Sequence, residues 1–290
     1  MPGTILDREE YIEQAYFFRV FRERLEEHLP AQEILATIHE EILSTTRLPM
    51  AIEFLRGEVV HTGRMSQALA RLNHYFTPFQ SFVFARAEED RSKFNQRTAL
   101  EVLQHEASYR AAGATAAGLF VYQFESISRN RLGYDRGMEA MAADPIYDEA
   151  WSEWIRRTRL QLGSVDFGDL IHRHSEQFVL DKRRQLGDAA WTASHSILFG
   201  AKEGKIARAN RGKDPLYMFA ALQRQLGYPA VPRVHDSDSV EQEIPNMKAK
   251  ISQLEKRVQL LESEAKGSLD LSQFYVKPVE FPPDEGVGQR

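Results

Sequence analysis

Apolar residues recur at three- and four-residue intervals from the start of the chain. Tyr11, Ala15, Phe18, Phe21, Leu25 and Leu29 share one face, with Glu and Arg filling the other, and Met65, Ala68, Leu69, Leu72, Tyr75 and Phe76 repeat the pattern. This period belongs to amphipathic helices. Alternation of period two is scarce, and Val59-Val60 is too short to count as a strand. The pattern predicts an all-α fold: a multi-helix body of antiparallel packed helices, followed by a C-terminal coiled-coil helix.

Punctuation residues place the helix ends. Thr77-Pro78, Asp144-Pro145 and Asp214-Pro215 each set an N-cap acceptor before a proline at the first helical position, where the missing N–H costs nothing. Gly163, Gly187 and Gly227 follow apolar residues as C-caps, with Arg159, Arg183 and Arg224 near the negative end of the helix dipole. These marks bracket helices at 145–162, 166–186 and 215–226. Asp-Pro-Ile-Tyr and Asp-Pro-Leu-Tyr, and three Gln-Leu-Gly triplets, share no common spacing, so capping chemistry explains them better than a repeat does.

Residues 1–228 read as the helical body, with a break near Gly113 that would subdivide it, and 229–239 as a linker, because its prolines interrupt any apolar period. The stretch 240–266 reads as coiled coil and 267–290 as a flexible tail rich in proline and charge. In the coiled-coil stretch, Ile244, Met247, Ile251, Leu254, Val258, Leu261 and Ala265 are spaced 3-4-3-4-3-4. β-branched residues at a with Leu or Met at d favour two parallel strands. A parallel in-register pair would face Glu243 with Lys248, Lys250 with Glu255 and Arg257 with Glu262, all attractive. The predicted dimer interface is therefore Ile244, Met247, Ile251, Leu254, Val258 and Leu261. Three heptads are few for independent stability, which calls on the body to contribute to the interface.

Composition narrows the chemistry. The 290 residues include no cysteine, which excludes disulfides, thiolate metal sites and cysteine nucleophiles. With 37 basic and 42 acidic residues the net charge is -5, so no global field holds DNA or an anionic membrane. The N-terminus has no basic segment followed by an apolar stretch, and the longest nearly apolar run, Ala111 to Phe124, falls short of the ~20 residues that span a bilayer. A soluble cytoplasmic protein is expected.

Candidate metal ligands are few. On one helix over 166–186, Asp169, His172 and Glu176 would stack on a single face at i−3 and i+4 from the histidine. His174 would fall on the buried stripe as a hydrogen-bonded core histidine. Glu58 and His61 have the Glu-x-x-His spacing of di-iron bundles, with Glu101 and His105 as partners, but the second motif such a site requires is missing. Two basic stretches, Arg129, Arg131 and Arg136, and Lys202, Lys205, Arg208, Arg211 and Lys213, could touch phosphate, though acidic neighbours dilute the second. Gly200 to Lys205 misses the phosphate-loop spacing by one residue.

No catalytic motif occurs. The expected protein is an intracellular helical interaction or scaffold protein. It forms a parallel homodimer through its C-terminal helix, has a tail that can meet another protein, and has no predicted cofactor or membrane partner. The alternatives are a helical enzyme or metal-binding protein holding a divalent ion through His and carboxylates, and a dimeric nucleic-acid binder.

Overall fold

The computed structural model describes residues 5–89 and 94–234, together with Ile251, Leu254 and Val258. The other predicted seam residues, the charge pairs beside them, residues 235–239 and the tail from 267 lie outside the described residues. Among the described residues the chain forms thirteen helices and no strand. The first six are α1 (Arg8–Glu26), α2 (Ala31–Ile38), α3 (Leu48–Thr62), α4 (Met65–Arg71), α5 (Pro78–Ala87) and α6 (Gln96–Ala111). Then come α7 (Ala116–Arg129), α8 (Tyr134–Ala142), α9 (Glu149–Gln161), α10 (Phe167–Arg173), α11 (Glu176–Leu186), α12 (Ala201–Ala209) and α13 (Pro215–Leu226).

Residues through Val234 form one unit and the remainder a second; Gly113 lies inside the first. Within the first unit α1 packs along α6, while α7 reaches α6, α8 and α13 and so joins the N-terminal helices to the C-terminal ones. The nearly apolar run explains that placement. Every residue of α7 from Gly118 to Ile127 is buried, so its polar members Gln123, Glu125 and Ser126 must find partners inside the protein. Ser126 donates to the Tyr122 carbonyl at 2.8 Å, and Glu125 accepts from Tyr228 at 2.7 Å and pairs with Arg129. Gln123 forms the centre described below.

Local capping chemistry is observed where short-range geometry alone decides it. Thr77 and Gln80 complete a capping box, with the Gln80 N–H donating to Thr77 Oγ1 at 3.3 Å and the Thr77 N–H to Gln80 Oε1 at 3.0 Å. Gln80 also donates to Gln14 of α1 at 3.1 Å, which carries the cap into the core. Thr77→Ala is therefore expected to destabilise the protein by about 1 kcal/mol, measurable as a lower urea midpoint. A midpoint unchanged from wild type would show that the cap contributes nothing.

Two predicted boundaries move. The helix expected from Pro145 begins at Glu149, capped by Asp148, whose side chain accepts from the Trp151 N–H at 2.9 Å. Asp144 is drawn into the core instead. The helix expected over 166–186 is two helices, α10 and α11, broken at His174-Ser175. Glu176 N–H donates to the Phe199 carbonyl at 3.0 Å, and the Leu198 and Phe199 N–H groups donate to the His174 carbonyl at 2.8 and 3.1 Å. The chain returning from residue 199 thus occupies backbone groups that would have continued the helix.

The first residues of the expected linker are held on the body. His105 Nδ1 donates to the Ala230 carbonyl at 3.0 Å and Asn130 donates to the Pro232 carbonyl at 3.0 Å, while Tyr109 holds the end of α13 through the Leu226 carbonyl at 2.9 Å.

Candidate functional site

The most heavily charged buried centre lies where α6, α7 and the connection from α8 to α9 meet. Glu106 and Arg110 are one turn apart on α6, so their side chains meet on one face. Arg110 Nη2 donates to Glu106 Oε1 at 2.9 Å and to Asp144 Oδ2, and Nη1 donates to Asp144 Oδ1 at 3.2 Å. Gln123 Nε2 donates to Glu106 Oε1 at 2.7 Å and to Asp144 Oδ2 at 3.2 Å, and its carbonyl accepts from Tyr147 at 2.8 Å.

Arg110 also lies over the Tyr11 ring, bringing in α1. Burial works against the guanidinium charge, but Asp144 and Glu106 outweigh it and hold its pKa well above the usual value. Burial, and next the Asp144 charge, likewise hold the Tyr147 phenol neutral far above its usual range. With Glu106 and Asp144 at 0% and 1% exposure, this centre joins four elements of the fold and does not face solvent. It is suited to fixing register rather than to chemistry on a substrate.

A second centre is less buried. His174, at the end of α10, and His195, in the connection from α11 to α12, stand with ring centroids 4.5 Å apart. His174 also meets Trp154 at 5.6 Å, and His195 meets Phe178 at 5.9 Å. The apolar period places His174 on the buried stripe of a continuous helix; the break sets it instead at the end of α10, half-buried against this returning chain.

The predicted metal ligands do not come together. Asp169 pairs with Arg211, and Glu176 accepts from the Ala201 N–H at 3.2 Å. His172 is buried, with Nδ1 donating to the Gly204 carbonyl at 3.2 Å and Nε2 3.7 Å from Asp181. Burial lowers the His172 pKa. The broken helix removes the single face on which Asp169, His172 and Glu176 would have stacked. In the other set, Glu58 pairs with Arg71 at 2.6 Å, Glu101 lies 3.5 Å from Arg22, His61 is exposed at the end of α3, and His105 holds Ala230. Among the described residues no group of three His, Asp or Glu side chains could hold a metal ion.

The basic stretches are partly neutralised: Arg129 by Glu125, Arg208 by Asp181 at 2.5 Å and Arg211 by Asp169. Gly204, the second glycine of the phosphate-loop near-miss, has a packing reason. A Cβ there would lie 2.1 Å from Ser175 Oγ and 2.8 Å from Gln177 Cβ, so only glycine lets α12 approach the start of α11 this closely.

Sequence reasoning missed both centres for the same reason. Glu106 and Arg110 alone read as an ordinary surface ion pair, and nothing local reveals that Asp144 and Gln123 complete it. Comparison with known protein families, curated proteins and solved structures finds no match to this chain. Among the described residues no helix is long and apolar enough to cross a membrane.

Proposed function

We propose that this chain is an intracellular helical interaction protein that self-associates through residues 240–266 as a parallel, in-register dimer, leaving its C-terminal tail for a further partner. The observation that carries this reading is the apolar heptad seam with attractive charges on both flanks. Ile251, Leu254 and Val258, at successive a, d and a positions, are helical and 55%, 53% and 51% exposed in the single chain. Burying such a seam against a second copy supplies the affinity. The flanking pairs contribute less, because exposed ion pairs are worth only ~0.2–1 kcal/mol each, and they select orientation.

Light scattering coupled to size exclusion tests self-association. The full chain is expected at twice the monomer mass, and the chain ended before Val240 or carrying Leu254→Lys is expected to associate at least tenfold more weakly. A monomer for both the full and the truncated chain would overturn the reading. Because the chain contains no cysteine, Leu261→Cys tests orientation cleanly. A parallel in-register pair brings the two introduced thiols within disulfide reach and should crosslink on mild oxidation. Dimers that never crosslink would exclude the parallel register.

A further inference from the structure

After α11, Gly187 turns the chain back on itself at φ +67°, and residues 188–199 return across α10 and α11 as a strap. Its far end is anchored in the core. Phe199 is 2% exposed and meets Trp151 and Trp154 at 5.1 and 5.3 Å. Its outer part rests on side chains: the Trp191 ring on Phe178 at 6.0 Å, His195 on both His174 and Phe178, and the Trp191 carbonyl accepting from Arg183 Nε at 2.9 Å.

The two histidines hold strap and helix to each other reciprocally. His174 Nδ1 lies 3.2 Å from the Ser196 carbonyl, and His195 Nε2 lies 2.8 Å from the Arg173 carbonyl. A carbonyl only accepts, so each of these nitrogens carries a hydrogen, and in the neutral ring the other nitrogen carries none. The charges acting on His174 come from every side with one sign. They are His195 from the strap, Arg157 from α9, itself paired with Glu153 at 2.5 Å, and Arg173 from α10. Lys182 of α11 lies over the Phe178 ring that His195 touches. Protonating His174 places a cation among cations.

We propose that the 188–199 strap is an acid-released latch: protonation of His174, packed against His195, frees its outer part, Trp191 to Ser196, from α10 and α11, while Phe199 keeps it tethered. Burial, followed by His195, Arg157 and Arg173, pushes the His174 pKa down to about 4. Once released, the ring would regain an ordinary value near 6.5. The closed strap is therefore favoured above that value and loses the advantage as pH falls toward 4. Across that window each unit fall tips the balance toward release by up to tenfold. Release uncovers the faces of Phe178 and Trp191, a local opening of the kind that histidine switches control.

Hydrogen exchange on the full chain, corrected for the intrinsic pH dependence of exchange, tests this at pH 7.5, 5.5 and 4.5. Peptides covering 188–199 should lose protection as pH falls while α6 and α7 keep theirs, and Trp191 emission should shift to the red. His174→Gln should remove the pH dependence of strap protection, whatever its level, while His195→Gln, which leaves His174 buried beside Arg157 and Arg173, should weaken it without removing it. Arg157→Gln, which relieves repulsion in the closed state, should move release to lower pH. That shift is one a purely structural role would not produce, and it keeps the test available if a histidine variant fails to fold. Strap protection that is constant over this range, that falls only together with that of α7, or that falls in the His174→Gln variant as it does in the wild type would overturn the latch.

Discussion

Replacing Arg110 by methionine is expected to cost about 3–5 kcal/mol of folding stability, because it leaves two carboxylates buried without their cation. A whole domain is commonly stable by only about 5–15 kcal/mol, so the variant should sit near or below the threshold for folding. The guanidinium is the donor that Glu106 and Asp144 share, with Gln123 bridging the same two oxygens, and all of them are closed off from water. The companion variant Glu106→Gln should be clearly milder, since it removes one buried charge and leaves an oxygen to accept from Arg110. Urea unfolding followed by tryptophan emission orders the two. If Arg110→Met lost less stability than Glu106→Gln, the centre would not be held together by its cation.

Phe120→Ala should cost a similar amount, about 3–5 kcal/mol, through the loss of a buried ring and the cavity it leaves. Phe120 is 0% exposed and stands between α7, α9, α10 and the strap, 4.8 Å from Trp154, 5.8 Å from Trp151, 6.3 Å from Phe167 and 6.0 Å from Phe199. No neighbouring helix can close that space without moving the others. Phe120→Leu, which refills much of the volume, should recover more than half of the loss in the same measurement. Equal losses for Ala and Leu would mean that ring contacts rather than volume stabilise this junction.

The proposed heptad dimer, the proposed acid latch and the Thr77 cap are separable from these two effects. Leu254→Lys is expected to act on association and the histidine variants on one strap, and Thr77→Ala removes a single cap. Arg110 and Phe120 hold the first unit together as a whole, so their loss should appear in every probe at once.

Helical class was legible because the apolar period of three and four residues is a property of the chain, independent of what it packs against. The caps at Thr77-Pro78 and Asp214-Pro215, and the C-caps at Gly187 and Gly227, were legible too, since a cap closes its hydrogen bonds within a few residues of itself. The helix over 215–226 appears with those same ends. The long apolar run by itself excluded only a bilayer span; its burial as α7, with Gln123 inside, came from packing.

Tertiary structure decided the rest, wherever the partner lies far along the chain. Asp144 and Asp214 each precede a proline and accept from the N–H two residues on, yet Asp144 also accepts from Arg110, 34 residues earlier, while Asp214 caps the helix that follows it. His174-Ser175 carries neither glycine nor proline, and the helix breaks there because residues 198 and 199 arrive to take its backbone hydrogen bonds. That break scatters Asp169, His172 and Glu176, and it brings His174 to His195, more than twenty residues away. The sequence by itself determined the helices and many of their ends, because those depend on bonds that close locally. Which polar side chains would meet depended on long-range packing, which no local period records.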